Sequence, residues 1–254
     1  MKYLEIQQMI DTMEKAGYDY KSEIGGIETN RAILESGAEL GLNAHVKALI
    51  LSCLSNEGGW EDKISTKLPQ IAEVFCQYDR HELMKKSEAD MLNEILTLKA
   101  GNRQIKLQIA HLKENIRTLE RIDREKGGID NYYATVDKYD LLDQLSNGKS
   151  EYKLKRLGVA LVCEYLKGVG INLVKPDRHV CRLIGRLKYS KRCPADEIET
   201  LRICDDIAKE LSLSQAMVDT ILWQYCADHK FSVCTATPNC AQCGVHNCPS
   251  RVKE

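Results

Sequence analysis

The sequence predicts an all-α fold, and three observations favour it. Prolines are rare, with five in 254 residues, and none falls between residues 70 and 175, so helices can run there without interruption. Runs of β-branched and aromatic residues are scarce, and the chain holds two Phe. Apolar residues recur at helical spacings of three and four along most of the chain. With 43% hydrophobic and 29% charged residues, the chain can bury a core, which excludes a disordered protein.

The predicted helices follow one another between glycine-rich breaks. Gly pairs at 25–26, 58–59 and 127–128, and the run at 168–170, favour turns because glycine adopts conformations that end helices. The clearest apolar stripe is Ile105, Ile109, Leu112, Ile116 and Leu119, with basic residues on its polar face. In order, the predicted helices cover residues 2–15, 29–39, 44–54, 61–78, 80–99, 105–119, 135–145, 155–167, 178–189, 195–211 and 214–226, the last following a Ser-Leu-Ser cap.

Cysteine usage and hydropathy indicate an intracellular protein. No stretch approaches the roughly 18 uninterrupted apolar residues of a membrane span, and the start MKYLEIQQMIDTMEK does not resemble a signal peptide. Eleven cysteines, an odd number, in a chain without an export signal are not expected to form a disulfide framework. We therefore expect a cytoplasmic protein with no membrane partner, in which some cysteines bind metal.

Four of the cysteines lie close together near the C-terminus. Cys234, Cys240, Cys243 and Cys248 are separated by five, two and four residues. Four soft sulfur ligands in one compact loop suit a tetrahedral zinc ion or a [4Fe–4S] cluster. The spacing alone does not separate these two metal sites.

Positive charge is concentrated in one segment of a nearly neutral chain. The formal net charge is −1, yet residues 151–192 hold eleven Lys or Arg against three Asp or Glu, a local charge of +8. Such a segment favours an anionic partner, and a nucleic-acid phosphate backbone is the partner that this pattern best predicts.

Within the basic segment, a turn ending at Gly158 precedes an apolar helix, and a glycine-rich loop leads to Pro176 and Asp177 at the start of another helix. Backbone N–H groups at such a turn and at a helix N-terminus can bind phosphate. Taken alone, Asp177 reads as an ordinary helix N-cap.

Together, the turn, the apolar helix, the sequence Asp177-x-His179-Val180-x-Arg182 and the terminal cysteine loop resemble the helix-hairpin-helix DNA glycosylases of the endonuclease III and MutY superfamily. Residues 153–188 carry the hairpin and aspartate part of the resemblance, residues 220–250 the iron–sulfur part, and residues 44–69 a weaker match to the DNA-inserting loop. The resemblance implies two helical lobes, one of residues 40–170 and one of residues 1–39 with 171–254, the latter holding the cluster loop at 234–248.

The resemblance also implies the site residues. Asp177 would be the catalytic carboxylate that stabilises the oxocarbenium-like transition state of a flipped-out nucleotide. The four cysteines would hold the cluster. DNA contacts would come from Gly158, Lys155, Arg156, Arg178, His179, Arg182 and, in the space left by the flipped base, Asn56.

Three features depart from the family pattern. The hairpin has one glycine and no proline, which puts its phosphate binding in doubt. Relatives that also cut the strand carry a lysine eighteen residues before the aspartate, where this chain has Val159, so a monofunctional enzyme is favoured unless Lys155 approaches. The cysteine gaps are equal to or one shorter than the family's six, two and five, so zinc stays an alternative, although the resemblance favours an iron–sulfur cluster.

We therefore expect a monomeric, nucleoid-associated enzyme that hydrolyses the N-glycosidic bond of a damaged, mispaired or modified base in double-stranded DNA. One alternative is a bifunctional glycosylase and abasic-site lyase. Another is a non-catalytic protein that binds damaged DNA, and a third is a zinc-stabilised helical interaction module unrelated to DNA.

Overall fold

The computed structural model describes residues 2–55, 60–228 and 230–252. These residues form helices, turns and loops, and no strand occurs among them, so the all-α prediction is confirmed. In chain order the α-helices are α1 (Leu4–Lys15), α2 (Gly25–Glu35), α3 (Leu42–Leu54), α4 (Leu68–Val74), α5 (Arg80–Lys85), α6 (Glu88–Thr97), α7 (Ile105–Ala110), α8 (Leu112–Lys126), α9 (Ile129–Thr135), α10 (Lys138–Ser146), α11 (Val159–Gly168), α12 (Arg178–Arg186), α13 (Glu197–Leu211) and α14 (Gln215–Cys226). None of the described helices combines the length and the apolar character needed to cross a bilayer.

The chain folds as two compact units. Unit 1 comprises Met1–Glu28 and Asn172–Glu254, and unit 2 comprises Thr29–Ile171. The predicted lobes had their boundaries after residues 39 and 170, so the first structural boundary lies eleven residues earlier and the second one residue later. The first boundary falls inside α2.

Unit 2 is built around α3, which packs against α8 and α11. Val46 and Leu49 of α3, Ile116 and Leu119 of α8, and Val162 of α11 are fully buried. Burying each of these side chains contributes roughly 1.5–3 kcal/mol relative to leaving it exposed. The apolar stripe of α8 therefore faces the core as its spacing predicts, and Gly127 ends the helix in a left-handed conformation.

Unit 1 joins the start of the chain to its C-terminal third. Helices α12, α13 and α14 pack against one another, and α1 packs against α14. Ile6, Met9 and Met13 on one face of α1 are buried, at the i, i+3 and i+7 positions of an amphipathic helix.

Several predicted helix boundaries were wrong. The helix predicted over 80–99 is two helices, because Ser87 adopts an extended backbone and its hydroxyl caps α6 by accepting a hydrogen bond from Asp90 N–H. Helix α7 likewise ends before His111 and α8 begins after it. The predicted helix 61–78 is reduced to α4, flanked by single turns at Trp60–Ile64, Ser65–Lys67 and Cys76–Tyr78.

The predicted helix over 155–167 begins later, at Val159. Arg156 has a φ of +65°, in the left-handed region that does not continue a right-handed helix. Residues 147–158 instead form a looped connection between α10 and α11, closed by a hydrogen bond from Leu154 N–H to Leu145 O of 2.9 Å. At the place where the resemblance implies a hairpin, the structure thus has two helices, α10 and α11, joined by a twelve-residue loop.

Candidate functional site

The four cysteines of the C-terminal loop share one cavity. Cys234, Cys240, Cys243 and Cys248 all line it, together with Arg186 and a few apolar side chains. The cavity is partly open to solvent. Across residues 2–55, 60–228 and 230–252, no group of three or more His, Cys, Asp or Glu side chains is placed to hold one metal ion. The four cysteines line one cavity, and the metal site that their spacing predicts stays a prediction.

Arg186, the last residue of α12, ties the cysteine loop to that helix. Its guanidinium donates hydrogen bonds to Cys234 O at 3.3 Å, Thr235 O at 2.5 Å and Ala236 O at 2.9 Å, and also to Cys234 Sγ at 3.4 Å. The Ser250 hydroxyl donates a hydrogen bond to Arg186 O at 2.7 Å. Arg186 therefore fixes the first cysteine, and this role was not predicted from the sequence.

Burial controls the chemistry of the loop thiols. It raises the pKa of Cys234, an effect that Arg186 opposes by hydrogen bonding and by its charge, and burial also raises the pKa of Cys248. Cys226, eight residues before the loop, is fully buried and donates from Sγ to Leu222 O within α14. Its pKa is raised well above the ordinary value by burial, so Cys226 belongs to the core.

Asp177 is the N-cap of α12, and its predicted capping role is confirmed. Its Oδ1 accepts hydrogen bonds from His179 N–H at 2.8 Å and Val180 N–H at 3.1 Å. The side chain is part-buried, and Oδ2 has no hydrogen-bond partner within the described part of the chain. One helix thus carries the partly exposed carboxylate at its N-terminus and the contact to the cysteine loop at its C-terminus.

The three predicted phosphate contacts that follow Asp177, namely Arg178, His179 and Arg182, differ in their surroundings. Arg178 is exposed. Arg182 is part-buried and its Nη2 donates to Cys226 O at 3.2 Å, while His179 Nδ1 lies 3.3 Å from both that oxygen and Arg182 Nη2. His179 and Arg182 therefore contact the C-terminal end of α14, where the positive charge of Arg182 is favourable. Their contact with DNA phosphates stays a prediction, as does that of Arg178.

Asn115 of α8 anchors the loop of residues 147–158 that connects α10 to α11. Asn115 of α8 accepts from Lys155 N–H at 2.6 Å and donates to Lys155 O at 3.0 Å, so its amide pairs with both backbone groups of one residue. Lys155 and Arg156 are exposed beside it, and the Lys155 ammonium lies 3.8 Å from Glu114. No sequence signal marked Asn115, because its partner is forty residues away.

Gly158 is the N-cap of α11 and is exposed, with no side chain to cap the first-turn N–H groups. A Cβ built on Gly158 would meet no atom within 4 Å. The first turn of α11 therefore has no side-chain cap and has space beside its N-cap residue, and a phosphate at this helix N-terminus stays a prediction.

Lys153 is a second amine at the hairpin. It is part-buried, and its ammonium donates a hydrogen bond to Leu157 O. Burial lowers the pKa of Lys153 below its ordinary value, and the charge of Lys155 lowers it further. Lys155 was predicted from the sequence as the amine that could reach the sugar, whereas Lys153 was not predicted.

A buried polar network in unit 2 was also missed. His45 Nε2 lies 2.9 Å from Asp130 Oδ1, and His45 Nδ1 lies 2.7 Å from the hydroxyl of Tyr165, which donates to Tyr133 at 3.3 Å. Asp130 Oδ2 accepts from Gly41 N–H at 2.8 Å. Burial raises the pKa of Asp130, but hydrogen bonds from His45 and from backbone N–H groups outweigh it and hold this pKa below its ordinary value.

Asn56, the residue predicted to fill the space of a flipped base, lies outside the described residues.

Comparison with known proteins found no matching family model, no matching curated protein and no matching solved structure.

Proposed function

We propose that this chain is a helix-hairpin-helix DNA glycosylase that removes a damaged, mispaired or modified base from double-stranded DNA without cutting the strand. The observation that carries the proposal is the double role of α12. Asp177 stands at its N-terminus with one carboxylate oxygen unpartnered among the described residues, and Arg186 at its C-terminus is bonded into a loop of four cysteines. Unit 2 supplies a helix pair whose turn presents Gly158, Lys155 and Arg156 to solvent.

The reaction asks for a fixed negative charge beside a sugar that becomes positively charged as the N-glycosidic bond breaks. The Asp177 carboxylate provides it, because its Oδ1 is anchored by two backbone N–H groups while Oδ2 stays available. Water then attacks C1′, and the base leaves with a proton. The two hydrogen bonds that Oδ1 accepts from the first turn of α12 also fix the orientation of the carboxylate. The carboxylate therefore needs little reorganisation when positive charge develops on the sugar.

The four loop cysteines fit a metal group. Cys234, Cys240, Cys243 and Cys248, which line one cavity, would hold a [4Fe–4S] cluster, the group that the resemblance to the endonuclease III and MutY superfamily implies. When bound, such a group cross-links the loop and so fixes the C-terminal end of unit 1. Zinc is the alternative, and iron, sulfide and zinc analysis of the purified protein separates the two.

Base release by Asp177→Asn tests the catalytic proposal. Asparagine caps helices as well as aspartate does, so this variant keeps the fold and removes only the charge. The matched control is Asp196→Asn, because Asp196 caps α13 through the same pair of bonds, to Ile198 and Glu199 N–H at 2.9 and 3.2 Å. Wild type and Asp196→Asn are expected to release a base from one member of a panel of single-lesion duplexes, and Asp177→Asn to be slower by at least about a hundredfold.

Product analysis with and without alkali separates the remaining readings. Strand breaks that appear only after alkali support a monofunctional enzyme. If no duplex loses a base while wild type and Asp177→Asn bind DNA equally, the enzyme proposal falls and a non-catalytic binding protein replaces it. Absence of DNA binding leaves the zinc-stabilised interaction module.

Lys153 favours a second candidate function, abasic-site lyase activity. Burial lowers the pKa of the Lys153 amine, which is the direction that favours a nucleophile, and attack of this amine on C1′ of an abasic sugar would form a Schiff base with loss of water. Borohydride reduction during reaction with an abasic duplex would trap that adduct. We expect trapping in wild type and in Lys155→Gln but not in Lys153→Gln if the lyase is present, and no trapping in any of the three if the enzyme is monofunctional.

A further inference from the structure

We propose that the hydroxyl of Tyr225 donates a hydrogen bond to the Cys243 thiolate and thereby sets the reduction potential of the iron–sulfur cluster at a more positive value. This inference rests on the cluster in the proposed function. The Tyr225 hydroxyl lies 3.3 Å from Cys243 Sγ, within hydrogen-bonding distance for sulfur. Nothing in the sequence spacing indicated this contact, because Tyr225 lies in the apolar pattern of α14.

Packing fixes the tyrosine in this position. Tyr225 is fully buried, and its ring contacts Phe231 with centroids 5.6 Å apart. Phe231 in turn contacts Tyr18 with centroids 5.3 Å apart. The backbone carbonyl of Tyr225 accepts from Val233 N–H at 3.0 Å and Cys234 N–H at 2.9 Å, so the same residue also anchors the start of the loop.

The direction of the hydrogen bond follows from its surroundings. A thiolate has no proton to give and accepts only, whereas a phenol is both donor and acceptor. The Thr12 hydroxyl, which lies beside Gly244, donates its own proton to Gln8 O at 2.5 Å. The charged sulfur is the stronger of the acceptors available to the phenol proton.

Helix α1 holds this arrangement from the other side. A Cβ on Gly244 would overlap the Thr12 hydroxyl, so the loop backbone passes directly against α1 at the residue after Cys243. Only glycine permits this approach. Helix α1, for which no role was predicted, therefore keeps Cys243 beside Tyr225.

A hydrogen bond to a ligating sulfur withdraws negative charge from it and so stabilises the reduced, more negative state of a cluster. Arg186 makes a comparable bond to Cys234 Sγ, but the same guanidinium also bonds three carbonyl groups, and its removal would disturb the loop. Tyr225→Phe removes one oxygen atom, keeps the ring and leaves the backbone anchor in place.

The experiment compares wild type, Tyr225→Phe and Tyr20→Phe, all prepared without oxygen. Tyr20→Phe is the matched control, because Tyr20 is another buried tyrosine of unit 1 whose hydroxyl donates to a carboxylate, Glu14, at 2.9 Å. Iron and acid-labile sulfide are measured first, then the reduction potential by titration and the lifetime of the cluster absorbance in air. We expect equal iron in the three proteins, and a more negative potential with a shorter lifetime in air for Tyr225→Phe only.

The outcomes separate this inference from the proposal on which it rests. Equal potentials and lifetimes in all three iron-containing proteins overturn the role of Tyr225 and leave the cluster in place. Wild type that contains zinc or no metal overturns the cluster itself. Should Tyr225→Phe fail to fold, exchange of wild type into deuterium oxide decides, since metal–thiolate stretching bands that do not shift would show that no hydroxyl proton is bound to the sulfur.

Discussion

Neither the backbone conformation nor the packing at position 158 requires a glycine in the free protein. Its φ of −85° is open to any residue, and a Cβ there would meet no atom within 4 Å. Alanine at this position loses some N-cap preference but also restricts the unfolded chain, and the two effects nearly cancel. We therefore expect Gly158→Ala to change the free energy of unfolding by less than about 1 kcal/mol.

The same substitution should weaken DNA binding, because its methyl group stands between a phosphate and the first-turn N–H groups of α11. A loss of about tenfold in affinity, or about 1.4 kcal/mol, is expected in a fluorescence titration. Gly148→Ala is the control, since Gly148 lies in the same connection and a Cβ there also meets nothing within 4 Å. Equal affinities of the two variants would contradict phosphate binding at this turn.

At the level of single residues, local signals were read correctly and distant partners were not. Asp177 was predicted as an N-cap because a Pro-Asp pair before a helical pattern is a local feature, and the structure confirms the cap. Asn115 and Lys155, or Tyr225 and Cys243, meet only after helices have packed, so no spacing in the sequence relates them.

At the level of helices, α3, α9 and α11 are joined by the network of His45, Asp130, Tyr165 and Tyr133. All four side chains are buried, so water does not replace a hydrogen bond that is lost. Removing one member leaves a polar atom of its partner buried without a hydrogen bond, which costs about 1–3 kcal/mol. Urea unfolding at pH 7 should show a loss of this size for Asp130→Ala.

The pH dependence of this loss follows from the lowered pKa of Asp130. A carboxyl whose pKa is lower in the folded state stabilises the fold at pH values above its unfolded pKa of about 3.9, and the contribution disappears as pH falls through the folded pKa. The difference in unfolding free energy between wild type and Asp130→Ala should therefore shrink below about pH 4. A difference that stays constant down to pH 3 would contradict the role given to Asp130.

Helix existence was easier to predict than helix ends. The apolar stripe of α8 and the helical pattern of α14 were recognised, because each repeats over several turns. The break at Ser87 was missed, since Leu83, Met91 and Ile95 continue the helical spacing across it. The Ser87 hydroxyl starts a new helix there, because it accepts a backbone hydrogen bond from Asp90 N–H in the first turn of α6.

For the whole molecule, the charge of +8 over residues 151–192 predicts salt-dependent binding to DNA. Each phosphate contact contributes about −0.9 to the slope of log affinity against log salt. Lys155→Gln and Arg156→Gln should each reduce the magnitude of the slope by about that amount. Lys85→Gln is the control, because Lys85 is 71% exposed and pairs with Glu82 outside the basic segment. An affinity independent of salt would favour the interaction module unrelated to DNA.

The division of unit 1 between the two ends of the chain has a consequence for biosynthesis. The ribosome makes α1 first and the helices that bury its apolar face last, after the whole of unit 2. At about 5–20 residues per second, that interval is roughly 7–30 s. Throughout it, Ile6, Met9 and Met13 lack the core that covers them in the finished protein. Unit 2 can fold during translation, whereas the apolar face of nascent α1 stays uncovered until α14 has left the exit tunnel.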